Sequence, residues 1–280
     1  MMSMLKEIEN RLISYSAVLR NHCLLMALKT GKTGSHLGGA LSLIEVFATL
    51  FGEILNMNSV DPDDPQRDRL IISKGHCVLA YYSALYSKGF LNKELIDSFE
   101  TNGAFLHGHA TRDVNKGIEF SGGSLGLGIS YAVGVALRAK IDKINYHTYV
   151  IVGDGECNEG IVWEAIMSAS HYKLDNLTII VDDNKLQYDG APKDVMNMED
   201  LELKFRSFGC FTLRVDGHSV NELYKAFIHN VSNKPKVIIA DTIKGKGVSF
   251  MEGQKEWHHA VLSMENYQKA MSEQKDQTLL

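Results

Sequence analysis

The sequence has no cysteine framework, no membrane span and no excess of positive charge. Its four cysteines, Cys23, Cys77, Cys157 and Cys210, are scattered without a C-x-x-C pair or a zinc-like Cys/His spacing, so they read as reduced thiols rather than as disulfides or metal ligands. Cys157 has no histidine at a spacing that would make it a paired nucleophile, and a structural thiol is the expected role. No apolar run approaches the ~18 residues of a membrane span. The first ten residues carry Lys6, Glu7 and Glu9 and no continuous apolar stretch, so no secretion signal is read and a cytoplasmic protein is expected. With 29 Lys and Arg against 34 Asp and Glu the formal charge is −5, which argues against nucleic acid or an anionic membrane as the main partner. Repeats, low-complexity tracts and linkers are also missing from the 280 residues. One domain over 1–280, with an N-terminal helical extension and a short polar C-terminal tail, is the expected organisation.

What is present is a succession of short β-like runs, at 70–73, 148–152, 177–181, 211–215 and 237–241, alternating with helical segments and free of hairpin signals. That alternation predicts an α/β fold with a mainly parallel sheet flanked by helices and right-handed crossovers. Over residues 4–29 the positions Leu5, Ile8, Leu12, Ile13, Ser16, Leu19, Cys23, Met26 and Ala27 follow a helical period, as one helix or a pair. Residues 33–40 read as a glycine-rich loop, 61–65 as a turn cluster, and 41–55, 77–88, 91–100 and 220–231 as helices. The glycine-rich 122–128 opens another helix that runs to about residue 139, and the tail from 274 to 280 is expected to fray.

The stretch Gly153-Asp154-Gly155-Glu156-Cys157-Asn158-Glu159-Gly160 begins where the run 148–152 stops, at the strand's carboxyl end, where open α/β sheets bind ligands. Glycines allow close backbone approach, and the N–H groups of a helix starting near Gly160 favour an anion. Asp154 adds negative charge there, a combination suited to a divalent cation lying between carboxylate and phosphate. Asn184, after the run 177–181, would add an amide oxygen. A carboxylate, an amide oxygen and a backbone carbonyl suit Mg²⁺ or Ca²⁺, with diphosphate oxygens and water completing the shell.

His36, His76, His107, His109, His258 and His259 lie in loops or at helix starts. In a parallel sheet some of them converge on the edge that carries Asp154, and their recurrence beside glycines favours a functional role for His36, His76 and His109. A zinc site is disfavoured by the Cys/His spacing and by the oxygen donors. Glu159 and Glu164 suit either the helix dipole or a buried interface network. Lys244 and Lys246, in the run Lys244-Gly245-Lys246-Gly247, suit a phosphate contact or plain solvation, with solvation slightly favoured.

Gly-Asp-Gly followed at this distance by Asn resembles the thiamine-diphosphate fingerprint. Ser35-His36, Lys74-Gly75-His76, His107-Gly108-His109, Ser124-Leu125-Gly126-Leu127-Gly128-Ile129-Ser130 and Trp257-His258 occur in the order of a transketolase N-terminal half, so residues 10–265 are similar to that family. The resemblance implies the thiamine-diphosphate-binding PP domain fold. It implies Asp154, Asn184 and the carbonyl of Leu186 as metal ligands, with Gly153, Gly155 and Glu156 beside the diphosphate. His36, His76 and His258 would surround the diphosphate, thiazolium and reacting carbon, and His109 would meet the donor-sugar hydroxyls. Gly123, Ser124 and Leu125 match the segment by the aminopyrimidine, although Ser124 stands where many members carry proline. Glu159 and Glu164 match acidic residues of the subunit interface.

The implied chemistry moves a two-carbon ketol unit from a ketose phosphate donor to an aldose; the cofactor acts as electron sink while neutral histidines orient the sugar and move protons. In this family the glutamate that activates the aminopyrimidine comes from the pyrimidine-binding domain. The sequence stops at Leu280, and the expectation is one subunit of a split transketolase. It would be active only with a C-terminal partner that supplies that domain and glutamate, in a heterotetramer with two of each chain. The alternatives are the α subunit of a thiamine-dependent 2-oxo-acid dehydrogenase, which the early histidine blocks disfavour, and a non-catalytic scaffold subunit, which the intact cation cage disfavours.

Overall fold

The computed structural model describes residues 2–278. Its sheet has five strands: β1 Arg69–Ile72, β2 Thr148–Gly153, β3 Leu177–Asp183, β4 Phe211–Asp216 and β5 Lys236–Asp241. They lie in the order β1-β2-β3-β5-β4, and every pair is parallel. The expected strands are therefore found within a residue or two of their ends. The three inner strands are almost wholly buried, which their continuous Val/Ile runs require, because a parallel sheet is covered on both faces.

Strand alternation sorts the side chains between two cores. Tyr149, Ile151, Ile180 and Ile238 join the buried residues of the helices Met2–Lys29, Ile44–Thr49, Val78–Ser87 and Val220–Ile228. Val150, Val152, Ile179 and Ile239 join those of the helices Leu127–Asp142, Gly160–His171 and Leu201–Ser207 on the other face. Lys236, at the start of β5, is buried, and burial lowers its pKa to about 8. Its ammonium donates to the carbonyls of Ala226 (3.1 Å) and Phe227 (2.7 Å) at the end of the helix Val220–Ile228, where a cation complements the helix dipole.

Several local expectations are corrected. Residues 2–29 form one helix, and Ile13 lies outside its buried stripe at 55% exposure. The glycine-rich loop ends early: Gly38–Leu41 is already helical. The segment 41–55 breaks into the helix Ile44–Thr49 and a wider π turn at Leu50–Ile54. The expected frayed tail is helical from Met264 to Thr278, and Gln274 is buried with its amide donating to the carbonyl of Gly247 at 2.5 Å; the last two residues of that segment lie outside the described ones. Short helices also form at Pro192–Val195 and Leu201–Ser207, where no helix is expected from the pattern. The second has a readable start signal, Asp200, whose carboxylate accepts from the Leu203 N–H at 3.1 Å.

Candidate active site

Because the strands are parallel, their carboxyl ends share one edge, and the register pairs Gly153 with Asp182. The residues that leave β1, β2 and β3 at that edge line a cavity of about 410 Å³. Asp154, Gly153, Gly155 and Glu156 line it from β2, Asn184 and Leu186 from β3, and His36, His76, His109, Gly123, Leu125 and His258 from the surrounding loops. Ser124 is exposed and is not part of the lining. Close approach of the loops depends on Gly75, where a Cβ would lie 2.7 Å from His109 Nδ1 and 3.2 Å from the Gly123 nitrogen.

Asp154 is 6% exposed, and its carboxylate accepts only backbone N–H groups, from Gly155 and Lys185, each at 2.8 Å. Among the described residues no side-chain cation forms an ion pair with it. Burial, reinforced by the negative charge of Asp182, raises its pKa to about 6. A buried carboxylate left without a counter-charge fits a bound cation. Asn184 Oδ1 and the Leu186 carbonyl at the same cavity make the protein donors all oxygen. No group of three or more His, Cys, Asp or Glu capable of holding a metal occurs among the described residues, so such a cation would draw further ligands from an anionic cofactor and water.

Asp182 is an organiser that its place in the sequence does not announce. Fully buried, it pairs with Lys74, accepts from Thr242 Oγ1, from Ser42 Oγ at 2.7 Å and from the Asn184 amide at 2.9 Å. The last bond fixes which way the Asn184 amide faces, leaving its oxygen to meet the Leu186 N–H at 3.1 Å. Burial opposes charge on both partners, but each overcomes it for the other: Asp182 stays below the usual carboxylate range and Lys74 above the usual ammonium range.

Glu156 ties three chain segments together. Its carboxylate accepts from Ser73 Oγ at 2.5 Å, from Gly126 N–H at 2.7 Å and from Gly153 N–H at 3.0 Å. The start of the helix Leu127–Asp142 is thereby held against the ends of β1 and β2. Gly126 has φ +81°, and a Cβ there would come within 2.4 Å of Ile161 Cγ2, so this junction accepts only glycine.

The histidines do converge. His36 lies 5.4 Å from His109, 5.5 Å from His258 and 6.0 Å from His76 between ring centroids, and His76 lies 5.0 Å from His258. His259, assigned no role from sequence, stands 4.7 Å from His36; His107 lines a neighbouring cavity of about 260 Å³ with His36, His109 and His259. Burial, and then neighbouring positive groups, lower His36 to about 4 and His258 to about 3, and hold His76 well below the usual imidazole range. These rings are neutral near pH 7, the state able to accept or pass a proton.

The solvated reading of Lys244 is overturned. It is 1% exposed, and its ammonium donates to the Leu186 carbonyl at 2.8 Å and to His258 Nδ1 at 3.0 Å. Burial, together with the charge of Lys74, lowers its pKa to about 8. Lys246 points elsewhere, to Glu252 at 3.3 Å. The segment that delivers Lys244 is anchored by His218, whose Nε2 accepts the Ile243 N–H at 2.8 Å while Nδ1 meets Glu45 at 2.9 Å, and Glu45 pairs with Arg20. Lysines in a glycine-rich run read as surface residues until β5 is placed inside the sheet, so the local pattern concealed this one.

Comparison with known proteins agrees with this geometry. Residues 13–275 match the family model described as transketolase, thiamine diphosphate binding domain. The chain is 42% identical over 240 residues to an apulose-4-phosphate transketolase subunit of Phocaeicola vulgatus, covering 85% of each chain. It is 41% identical over 246 residues to the 6-deoxy-6-sulfo-D-fructose transketolase subunit SqwG of Clostridium sp. (strain MSTE9), covering 87% of this chain and 90% of that one. The solved transketolase from Leishmania mexicana superposes with a TM-score of 0.87 at 28% identity; the match covers 94% of this chain but only 41% of that one. The chain belongs to the transketolase family, as its thiamine diphosphate-binding domain.

Proposed function

We propose that the protein is the diphosphate-binding subunit of a split, cytoplasmic transketolase, formed by residues 1–280 as one domain, that transfers a two-carbon ketol unit from a ketose to an aldose together with a second chain. The observation that carries this reading is the single cavity that brings the buried, unpaired Asp154 together with Asn184, Leu186 and the four histidines. Its similarity to two separate transketolase subunits along most of their length supports the split organisation, and the 2-oxo-acid dehydrogenase alternative is not favoured.

In this reading Asp154, Asn184 Oδ1 and the Leu186 carbonyl would hold Mg²⁺ or Ca²⁺ for a diphosphate cofactor. Lys244 faces the same carbonyl and His258 as a further positive group for the diphosphate. Thiamine diphosphate, when bound, would supply the electron sink for carbon–carbon cleavage. Neutral His36, His76 and His258 receive and return protons at the sugar carbonyl and hydroxyl oxygens, and His109 orients the donor hydroxyls. The partner chain supplies the pyrimidine-binding domain and the activating glutamate in a heterotetramer of two chains of each kind, with Glu159 and Glu164, both exposed here, at the interface. The two relatives are named for ketoses with an anionic group, a phosphate and a sulfonate. Among the described residues the cavity lining contains no arginine, so in this reading the anionic end of a donor falls to the partner.

The test is a glycolaldehyde-transfer assay on the two co-expressed chains with a panel of ketose phosphates and sulfonates, beside a 2-oxo-acid oxidation assay. Ketol transfer by the pair, with neither chain active alone, is the expected result. Full-rate transfer by this chain alone would refute the split reading, and 2-oxo-acid oxidation would refute the transketolase reading.

A further inference from the structure

We propose that a second pocket, at the amino end of β1, binds the phosphate group of a small molecule, independently of the cofactor site. This pocket also has a volume of about 410 Å³, and its charged lining consists of Arg67, Arg69, Arg112 and Arg138 against the single carboxylate of Glu119. Arg69 opens β1, whereas the cofactor cavity lies beyond the carboxyl end of that strand; β1 alone separates the two by roughly 10 Å. The cluster is a local reversal of charge in a chain of net charge −5.

Two of the four arginines are satisfied internally, Arg67 by Glu119 and Arg138 by Asp142. The other two have no carboxylate partner among the described residues. Arg69 rests its guanidinium 5.1 Å from the centroid of the Tyr146 ring, and Nη2 reaches only the Asp64 carbonyl at 3.5 Å. Its Nη1 is buried without any hydrogen-bond partner, a costly state for a charged donor. Burial, and then the charge of Arg67, also hold Arg69 below the usual guanidinium range, more than the carboxylates of Glu119 and Asp64 restore. A phosphate dianion supplies several acceptor oxygens, two of which the planar fork of a guanidinium can meet at once. The volume falls within the range of small-molecule sites, and Tyr131 and Tyr146 in the lining leave room for a compact organic group beside the phosphate.

Inorganic phosphate and ribose 5-phosphate are the probes for calorimetric titration of the full chain, and tungstate soaked into its crystals reports position by anomalous scattering. The expected results are a tungstate peak between Arg69 and Arg112, and a phosphate affinity that falls about tenfold to a hundredfold in Arg69→Gln and in Arg112→Gln. Mg²⁺-dependent binding of thiamine diphosphate stays unchanged in both variants, because the diphosphate cradle is elsewhere. Tighter binding of ribose 5-phosphate than of phosphate assigns an organic phosphate, and equal affinities assign the free ion. Arg112 is exposed, so its replacement leaves the fold intact even if Arg69→Gln does not fold. A tungstate map without density in this pocket, or wild-type phosphate affinity in Arg112→Gln, overturns the proposal.

Discussion

Asp154 and His218 illustrate how single residues act in the proposed site. Asp154 is buried with two backbone N–H donors and, among the described residues, no ion-pair partner, so its negative charge lacks a neutralising contact. Asp154→Ala is expected to abolish Mg²⁺-dependent binding of thiamine diphosphate, measured by calorimetry, without lowering the melting temperature of the chain alone, since it removes a buried charge rather than a paired one. Retained Mg²⁺-dependent binding would refute the ligand role. His218 works at one remove. Accepting the Ile243 N–H through Nε2 requires that nitrogen to be unprotonated, which leaves the proton on Nδ1 toward Glu45. His218→Gln can restore the acceptor for Ile243, whereas His218→Asn can restore only the donor to Glu45. Cofactor affinity is expected to fall by about tenfold in the Asn variant, the worth of one buried hydrogen bond, and by less in the Gln variant. Equal losses would show that the anchor does not act through Ile243.

At the scale of elements, the site is a set of strand ends held in register by buried carboxylates. Glu156 joins the ends of β1 and β2 to the start of the helix Leu127–Asp142 through three hydrogen bonds, and Asp182 joins β3 to Lys74 and Thr242. Glu156→Gln replaces one acceptor oxygen with a donor, facing groups that are themselves donors. The expected cost is about 1–3 kcal/mol, a fall of roughly 2–10 °C in melting temperature by scanning calorimetry. An unchanged melting temperature would mean that the junction is held by packing alone. Gly126 and Gly75 belong to the same argument, because each marks a place where two elements approach too closely for a side chain.

At the scale of the whole molecule, the sheet buries histidines in a neutral state, and this sets an acid limit. His147 lies beside β2 with Nε2 bonded to Thr178 Oγ1 at 2.8 Å; burial, then the charge of Lys236, lowers its pKa from 6.5 to about 4. Between those values the unfolded chain takes up a proton that the folded chain refuses, so stability falls as pH falls. This residue alone contributes a slope of up to about 1.4 kcal/mol per pH unit. Denaturant titrations at pH 7, 6 and 5 are expected to show that loss, and His147→Gln to make the decline shallower. An identical decline in the variant would remove His147 from the account.

The sequence by itself determined the strand runs, their parallel pairing, and the sheet edge at which Asp154, Asn184 and the histidines meet. Each of these is written in local pattern: β-branched runs, glycine-bounded turns, and histidines that recur beside glycines. Its errors fall where local pattern carries no information about burial. Lys244 reads as solvated in the run Lys244-Gly245-Lys246-Gly247, and only its place after β5 puts its ammonium between the Leu186 carbonyl and His258. Asp182 adjoined the motif without any apparent task, and its role exists only where β3 lies within reach of Lys74, Ser42 and Thr242. Tertiary structure alone decided which charges are buried and which partner neutralises each, because that depends on contacts between segments 60–140 residues apart, and no local spacing encodes them.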